Sequence, residues 1–154
     1  MSMLETGLIL DTHAWLWLES DPERLGPTAR DAIMQSARQG NLWVSVMSVW
    51  EIGMLVAKDR LRLSMPVDEW VCQASATPGM QMLGLIPEIA LESTRLPDAP
   101  HGDPVDRLLM ASARVHNLTL VTADEKILAY AALGHLKALK SCAPIASWAS
   151  TPAC

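Results

Sequence analysis

Residues 118–134 read "LTLVTADEKILAYAALG". The β-branched run 118–121 has strand character and Asp124 follows it closely. The segment from Glu125 has helical spacing and closes at Gly134. A short buried strand, an acid and then a helix form the repeating unit of a parallel α/β sheet.

The rest of the chain supplies more such units. "GLILD" (7–11) is an apolar run ending in Asp11, "LWVSV" (42–46) a second strand, "MQMLGLI" (80–86) a third, and "LKALKSC" (136–142) a weaker last one. Between them, helical spacing covers 28–39 through Ala29, Ile33 and Ala37, with Gly40 as the stop. "MSVWEIGMLVAKDRLRL" (47–63) and "MPVDEWVCQASATPG" (65–79) read as two further helices, and 21–27 as a Pro-marked turn. Pro87 opens a short helix in "PEIALESTRLP" (87–97), and Asp103–Pro104 opens another. The alternation predicts an α/β fold with a parallel sheet covered on both faces. No repeat or long linker divides it, so 1–143 is expected to form one domain, with 144–154 as a loose tail.

Composition narrows the function. The net charge is -5, which gives no bulk attraction to nucleic acid, so a nucleic-acid enzyme would need a basic patch or a metal. The chain has no Phe and one Tyr but six Trp and nine Met, so aliphatic groups, Met and indoles must build the core. Cys72, Cys142 and Cys154 are scattered without metal-ligand spacing, which predicts reduced thiols and a cytoplasmic protein. No apolar run reaches the ~18 residues of a membrane span, and the apolar start lacks a basic leader.

The acids carry the chemistry. In open parallel sheets ligands bind beyond the carboxyl ends of the strands. Asp11 and Asp124 are predicted at that edge, although an Asp after a strand also serves as a turn residue or helix cap. Glu51 lies in "VSVMSVWEIGMLVA", with Ser48 as its polar neighbour on the helix. A carboxylate there needs a cation, strong hydrogen bonds or a narrow solvent-facing strip. In "HGDPVDRLLMASA" (101–113), Asp103 suits the cap and Pro104 the first helical position. Asp106 then falls in the first turn, where the helix dipole favours an acid. Carboxylates gathered at one edge repel one another, and a divalent cation removes the penalty. All-oxygen ligation suits Mg²⁺ or Mn²⁺. Acids with such an ion and no nucleophile triad point to phosphodiester hydrolysis.

Four blocks, "LILDTHAWLW", "SVWEIG", "HGDPVDRLLMASA" and "LTLVTADEKI", in this order closely resemble PIN-domain ribonucleases, nearest the VapC-type toxins of bacterial toxin–antitoxin pairs. The match runs over about 7–142. The resemblance implies a three-layer α/β/α sandwich with a five-stranded parallel sheet, and an Mg²⁺- or Mn²⁺-dependent endoribonuclease. It carries over Asp11, Glu51, Asp106 and Asp124 as the catalytic, metal-binding quartet. It implies cleavage of RNA by a metal-activated water, leaving a 5′-phosphate and a 3′-hydroxyl. It further implies a small cognate antitoxin as partner, with a segment inserted into the acidic cleft, and a homodimer. Asp103 takes a supporting role as cap or outer contact to metal-bound water. Thr12 and Thr122 fall in matched blocks, where a hydroxyl holds a carboxylate or water, or makes a turn hydrogen bond.

Other residues have two readings each. Arg107 forms a structural ion pair or touches an RNA phosphate. His13 and His101 act as bases or as rim and structural residues. Lys58, Arg60 and Arg62 form a solvated helix end, or a patch for RNA or an antitoxin. Trp15, Trp17, Trp43 and Trp50 are mostly core by spacing, unless one is exposed to stack on a base. Two rival functions fit parts of the pattern. One is a phosphatase with Asp11 as nucleophile, like the haloacid dehalogenases, although these carry a second Asp where this chain has His13. The other is a non-catalytic PIN-like binding module, which retention of the acids disfavours.

Overall fold

The computed structural model describes residues 6–98, 100 and 102–142. His101 and the expected tail lie outside the described residues. Five strands form a parallel sheet: β1 (Leu8–Leu10), β2 (Leu42–Ser45), β3 (Met80–Leu83), β4 (Thr119–Thr122) and β5 (Lys137–Lys140). Their spatial order is β3-β2-β1-β4-β5. Both neighbours of β1 are in register at its last residue, with Leu10 opposite Val44 on one side and Val121 on the other.

Alternation along each strand sends side chains to opposite faces. Leu8, Leu10, Leu42, Val44 and Val121 enter one core, while Ile9 and Leu120 enter the other. The first core is closed by α1 (Thr12–Ser20), α2 (Pro27–Arg38), α3 (Val46–Ala57) and α4 (Val67–Ser75). The second is closed by α5 (Pro87–Thr94), α6 (Pro104–His116) and α7 (Glu125–Ala132). This is the three-layer sandwich expected.

Several local readings change. The spacing gave no helix at 12–20, because Ala14, Trp15, Leu16 and Trp17 are all buried and leave no polar stripe to mark a period. The Pro-marked turn holds a short 3-10 helix at Pro22–Arg24. Helix α3 ends at Ala57, before the basic segment, and Asp59 takes a left-handed φ of 56°. All three basic residues are exposed: Lys58 caps the end of α3, as expected of a solvated helix end, while Arg60 and Arg62 lie on the irregular connection beyond it. Trp15 and Trp17 are buried and Trp43 half-buried, but Trp50 is 55% exposed and is no core residue. Cys72 is free and exposed, while Cys142 is disulfide-bonded, against the expectation of reduced thiols.

One glycine sets the approach of β3. Gly79 has φ 83°, and a Cβ on it would lie 1.8 Å from the Ala37 carbonyl oxygen at the end of α2. Only a residue without a side chain passes there.

Candidate active site

The strand order places a switch point between β1 and β4. From β1 the chain proceeds outward to β2 and β3, then crosses to β4 and β5 on the other side. Crevices form at such points beyond the carboxyl ends of the strands. Asp11 is the first residue past β1, and its N–H donates to the Val121 carbonyl of β4 at 3.0 Å.

Asp11 also caps α1, its Oδ1 accepting from the Ala14 N–H at 2.7 Å. Burial pushes its carboxyl above the usual range, and the negative charge of Glu51 pushes the same way. Against them act a hydrogen bond from the Thr122 side chain, the Ala14 amide and the nearby His13. Thr122 is fully buried, and its Oγ1 also accepts from the Asp124 N–H at 3.1 Å. One hydroxyl thus connects both strand-end aspartates. Asp124 in turn caps α7, accepting from Lys126 N at 2.8 Å and Ile127 N at 3.1 Å. Cap and acidic-edge readings therefore coincide for both residues.

Asp103 caps α6, with its Oδ1 accepting from Val105 N at 2.9 Å and Asp106 N at 3.2 Å. The start of α6 fixes Asp106 in its first turn, half-buried. Because α6 leads into the amino end of β4, its own amino end lies toward the carboxyl edge of the sheet. It packs against α3, the helix of Glu51. The positive ends of α1, α6 and α7 are each paired with an acid.

The side chains gather unevenly. Asp11, Thr122 and Asp124 are joined by hydrogen bonds, and Glu51 acts on Asp11 through charge. Among the described residues no three His, Cys, Asp or Glu side chains stand close enough together to hold a metal ion as they are. Arg107 turns to the neighbouring helix, its Nε donating to the Ser93 carbonyl at 2.9 Å. His13 is exposed, with its ring centroid 6.2 Å from that of Trp17.

Thr12 does not reach a carboxylate through any described bond. Its Oγ1 donates to Ser48 Oγ at 3.0 Å, inside the protein. The sequence showed Ser48 only as a polar neighbour of Glu51. Its true partner lies on another helix, which no local spacing reveals.

The PIN domain model matches residues 8–133. Over 122 residues the chain is 33% identical to Ribonuclease VapC22 of Mycobacterium tuberculosis, covering 79% of this chain and 90% of that protein. A chain of the VapBC2 complex from Rickettsia felis, crystallised with a DNA fragment from its promoter, superposes with a TM-score of 0.65 at 13% identity. That match covers 87% of this chain and 98% of the other. A chain of FitAcB from Neisseria gonorrhoeae gives a TM-score of 0.58 at 19% identity over 86% and 96% of the two chains. Among the described residues no helix is long and apolar enough to cross a membrane. The matched blocks, the switch-point acids and the relatives agree: the chain belongs to the PIN-domain family.

Proposed function

We propose that this protein is a Mg²⁺- or Mn²⁺-dependent endoribonuclease, the toxin of a toxin–antitoxin pair, acting at the crevice between β1 and β4. The observation that carries the reading is Asp11. Its carboxylate is pressed upward by burial and by Glu51, and it is held by Thr122, which also holds Asp124. A carboxylate under that pressure at a ligand-binding edge is suited to a cation. The 33% identity to Ribonuclease VapC22 supports RNA as substrate.

The donor set fits the ion. Asp11, Glu51, Asp106 and Asp124 offer only oxygen, as a hard divalent cation prefers. They would hold it, and its charge would draw them toward ligating distance. When bound, it supplies a lowered water pKa and a counter-charge for the phosphoryl oxygens. The protein's own part is placement. Thr122 fixes the Asp11 carboxylate, and Asp103 fixes the first turn that carries Asp106. Water attacks phosphorus in line, the bond to the 3′ oxygen breaks, and a 5′-phosphate and 3′-hydroxyl result.

The related VapBC2 and FitAcB structures support a small antitoxin as partner, and the cytoplasm is the compartment in which this reading places the pair. Exposed Val46 and Trp50 on α3 are suited to a homodimer contact. Lys58, Arg60 and Arg62 offer the basic surface that a chain of net charge -5 needs for an RNA backbone.

The test is cleavage of a defined RNA panel with Mg²⁺ or Mn²⁺, with EDTA, Asp11→Asn and Asp106→Asn proteins purified in parallel. Cleavage that needs the ion and both aspartates supports the proposal. Variants that cut as well as the parent would sink it.

A further inference from the structure

We infer that the buried hydroxyl pair Thr12–Ser48 is a positioning pin that sets the separation of Asp11 and Glu51. The inference rests on the acidic-cleft reading above. Thr12 Oγ1 donates to Ser48 Oγ at 3.0 Å, and the two residues are 1% and 0% exposed. Thr12 directly follows Asp11 and opens α1, while Ser48 stands three positions before Glu51 on α3. The bond therefore joins the two turns that carry the two acids.

The surroundings explain why a polar pin belongs there. The two helices pack against each other, and Trp15 of α1 shares one apolar core with Val49, Ile52 and Val56 of α3. Apolar ridges and grooves accept more than one sliding arrangement at similar energy. Two hydroxyls add little net stability over two methyl groups, because each gives up water to be buried. Their mutual bond is satisfied in one register only, and a slipped register leaves both unpaired in a low dielectric. A shift of α3 by one residue would carry Glu51 about 1.5 Å along the axis. Misplacement of about 1 Å costs roughly 100-fold in rate at a reacting centre. The pin thus matters far more to the cleft than to the fold.

Three changes separate the two roles. Thr12→Val with Ser48→Ala removes both hydroxyls at nearly constant volume, Thr12→Val removes one, and Thr12→Ser keeps the hydroxyl. Each protein is titrated calorimetrically with Mn²⁺, melted in EDTA, and assayed on RNA beside the parent and Asp11→Asn. The double variant is expected to keep its melting temperature within a few degrees while losing about 10–100-fold in both Mn²⁺ affinity and cleavage. Thr12→Ser is expected to retain both. If the double variant does not fold, Thr12→Val decides by the same criteria. The pin is overturned if the hydroxyl-free variant binds Mn²⁺ and cuts like the parent. It is equally overturned if Thr12→Ser loses as much, or if losses follow a falling folded fraction. If Asp11→Asn loses Mn²⁺ while the double variant retains it, the pin fails and the cleft reading stands. If Asp11→Asn binds Mn²⁺ like the parent, the cleft reading itself fails and the pin with it.

Discussion

The Thr122 side chain donates a hydrogen bond to the Asp11 carboxylate, tying the end of β4 to the residue that follows β1. The same oxygen accepts from the Asp124 N–H. A hydroxyl is the one small group that both gives and takes, so no aliphatic residue of equal size reproduces this link. Thr122→Val should leave the sheet intact and reduce Mn²⁺ affinity and RNA cleavage by about 10–100-fold. Thr122→Ser should restore most of both. Calorimetric Mn²⁺ titration beside a thermal melt measures the split, and equal metal affinity in Thr122→Val would remove the role.

Desolvation and the negative charge of Glu51 both push the Asp11 carboxyl toward its neutral form, so its charge should cost the metal-free fold stability. Asp11→Asn removes that charge and keeps an oxygen to accept from the Ala14 N–H. Its melting temperature in EDTA should therefore exceed the parent's. Addition of Mg²⁺ should raise the parent's and leave the variant's unchanged. A lower melting temperature for Asp11→Asn in EDTA would contradict the electrostatic account.

Asp103 and Asp106 should separate by readout. Asp103→Ala deletes the cap of α6 and should cost about 1 kcal/mol, read as a lower denaturation midpoint. Asp106→Asn leaves that cap in place and should hold the midpoint while cleavage collapses. Loss of cleavage with Asp103→Ala at full folding, and none with Asp106→Asn, would exchange their roles.

Gly79→Ala should destabilise by more than about 1 kcal/mol, since the new methyl group meets the Ala37 carbonyl and the backbone has φ 83°. Chemical denaturation checks it. A neutral result would mean that β3 sits farther from α2.

Glu19 gives the pH dependence. Burial holds its carboxyl above the ordinary value of 4.5, against the Thr77 hydroxyl that donates to it at 2.6 Å. A raised folded pKa means that the folded state binds the proton more tightly than the unfolded chain does. The contribution of Glu19 is then fully present at low pH and is lost as pH rises from 4.5 through the raised value. Glu19→Gln should therefore melt higher than the parent at pH 7, with the gap closing below pH 4.5. A gap independent of pH would assign the effect to packing instead.

How much of this was legible depended on the kind of information each residue carries. Strands β1 and β4 could be read because each is a short apolar or β-branched run followed by an acid, and strand direction then assigns the edge. Asp103 could be read because capping is local. Helix α1 could not, since its buried residues leave no polar side to count from. The end of α3 was overrun because charged residues suit helices, and nothing local announced the left-handed Asp59. Trp50 was misplaced since hydrophobicity ranks it as core, whereas exposure depends on what packs against its face. The Thr12–Ser48 bond spans 36 positions and exists only once two helices have met.

Strand order has a consequence for the birth of the molecule. Central strand β1 is made first, yet one of its two partners, β4, is made late: Leu8 pairs with Thr119. The four acids proposed for the cleft are spread over the same interval, from Asp11 to Asp124. A nascent chain short of β4 lacks one wall of the crevice, its Thr122 and the last acid. Closing so long a loop also makes this pairing a slow, late event in folding. A chain that stops short of β4 therefore carries only three of the four proposed site acids and lacks the Thr122 hydroxyl.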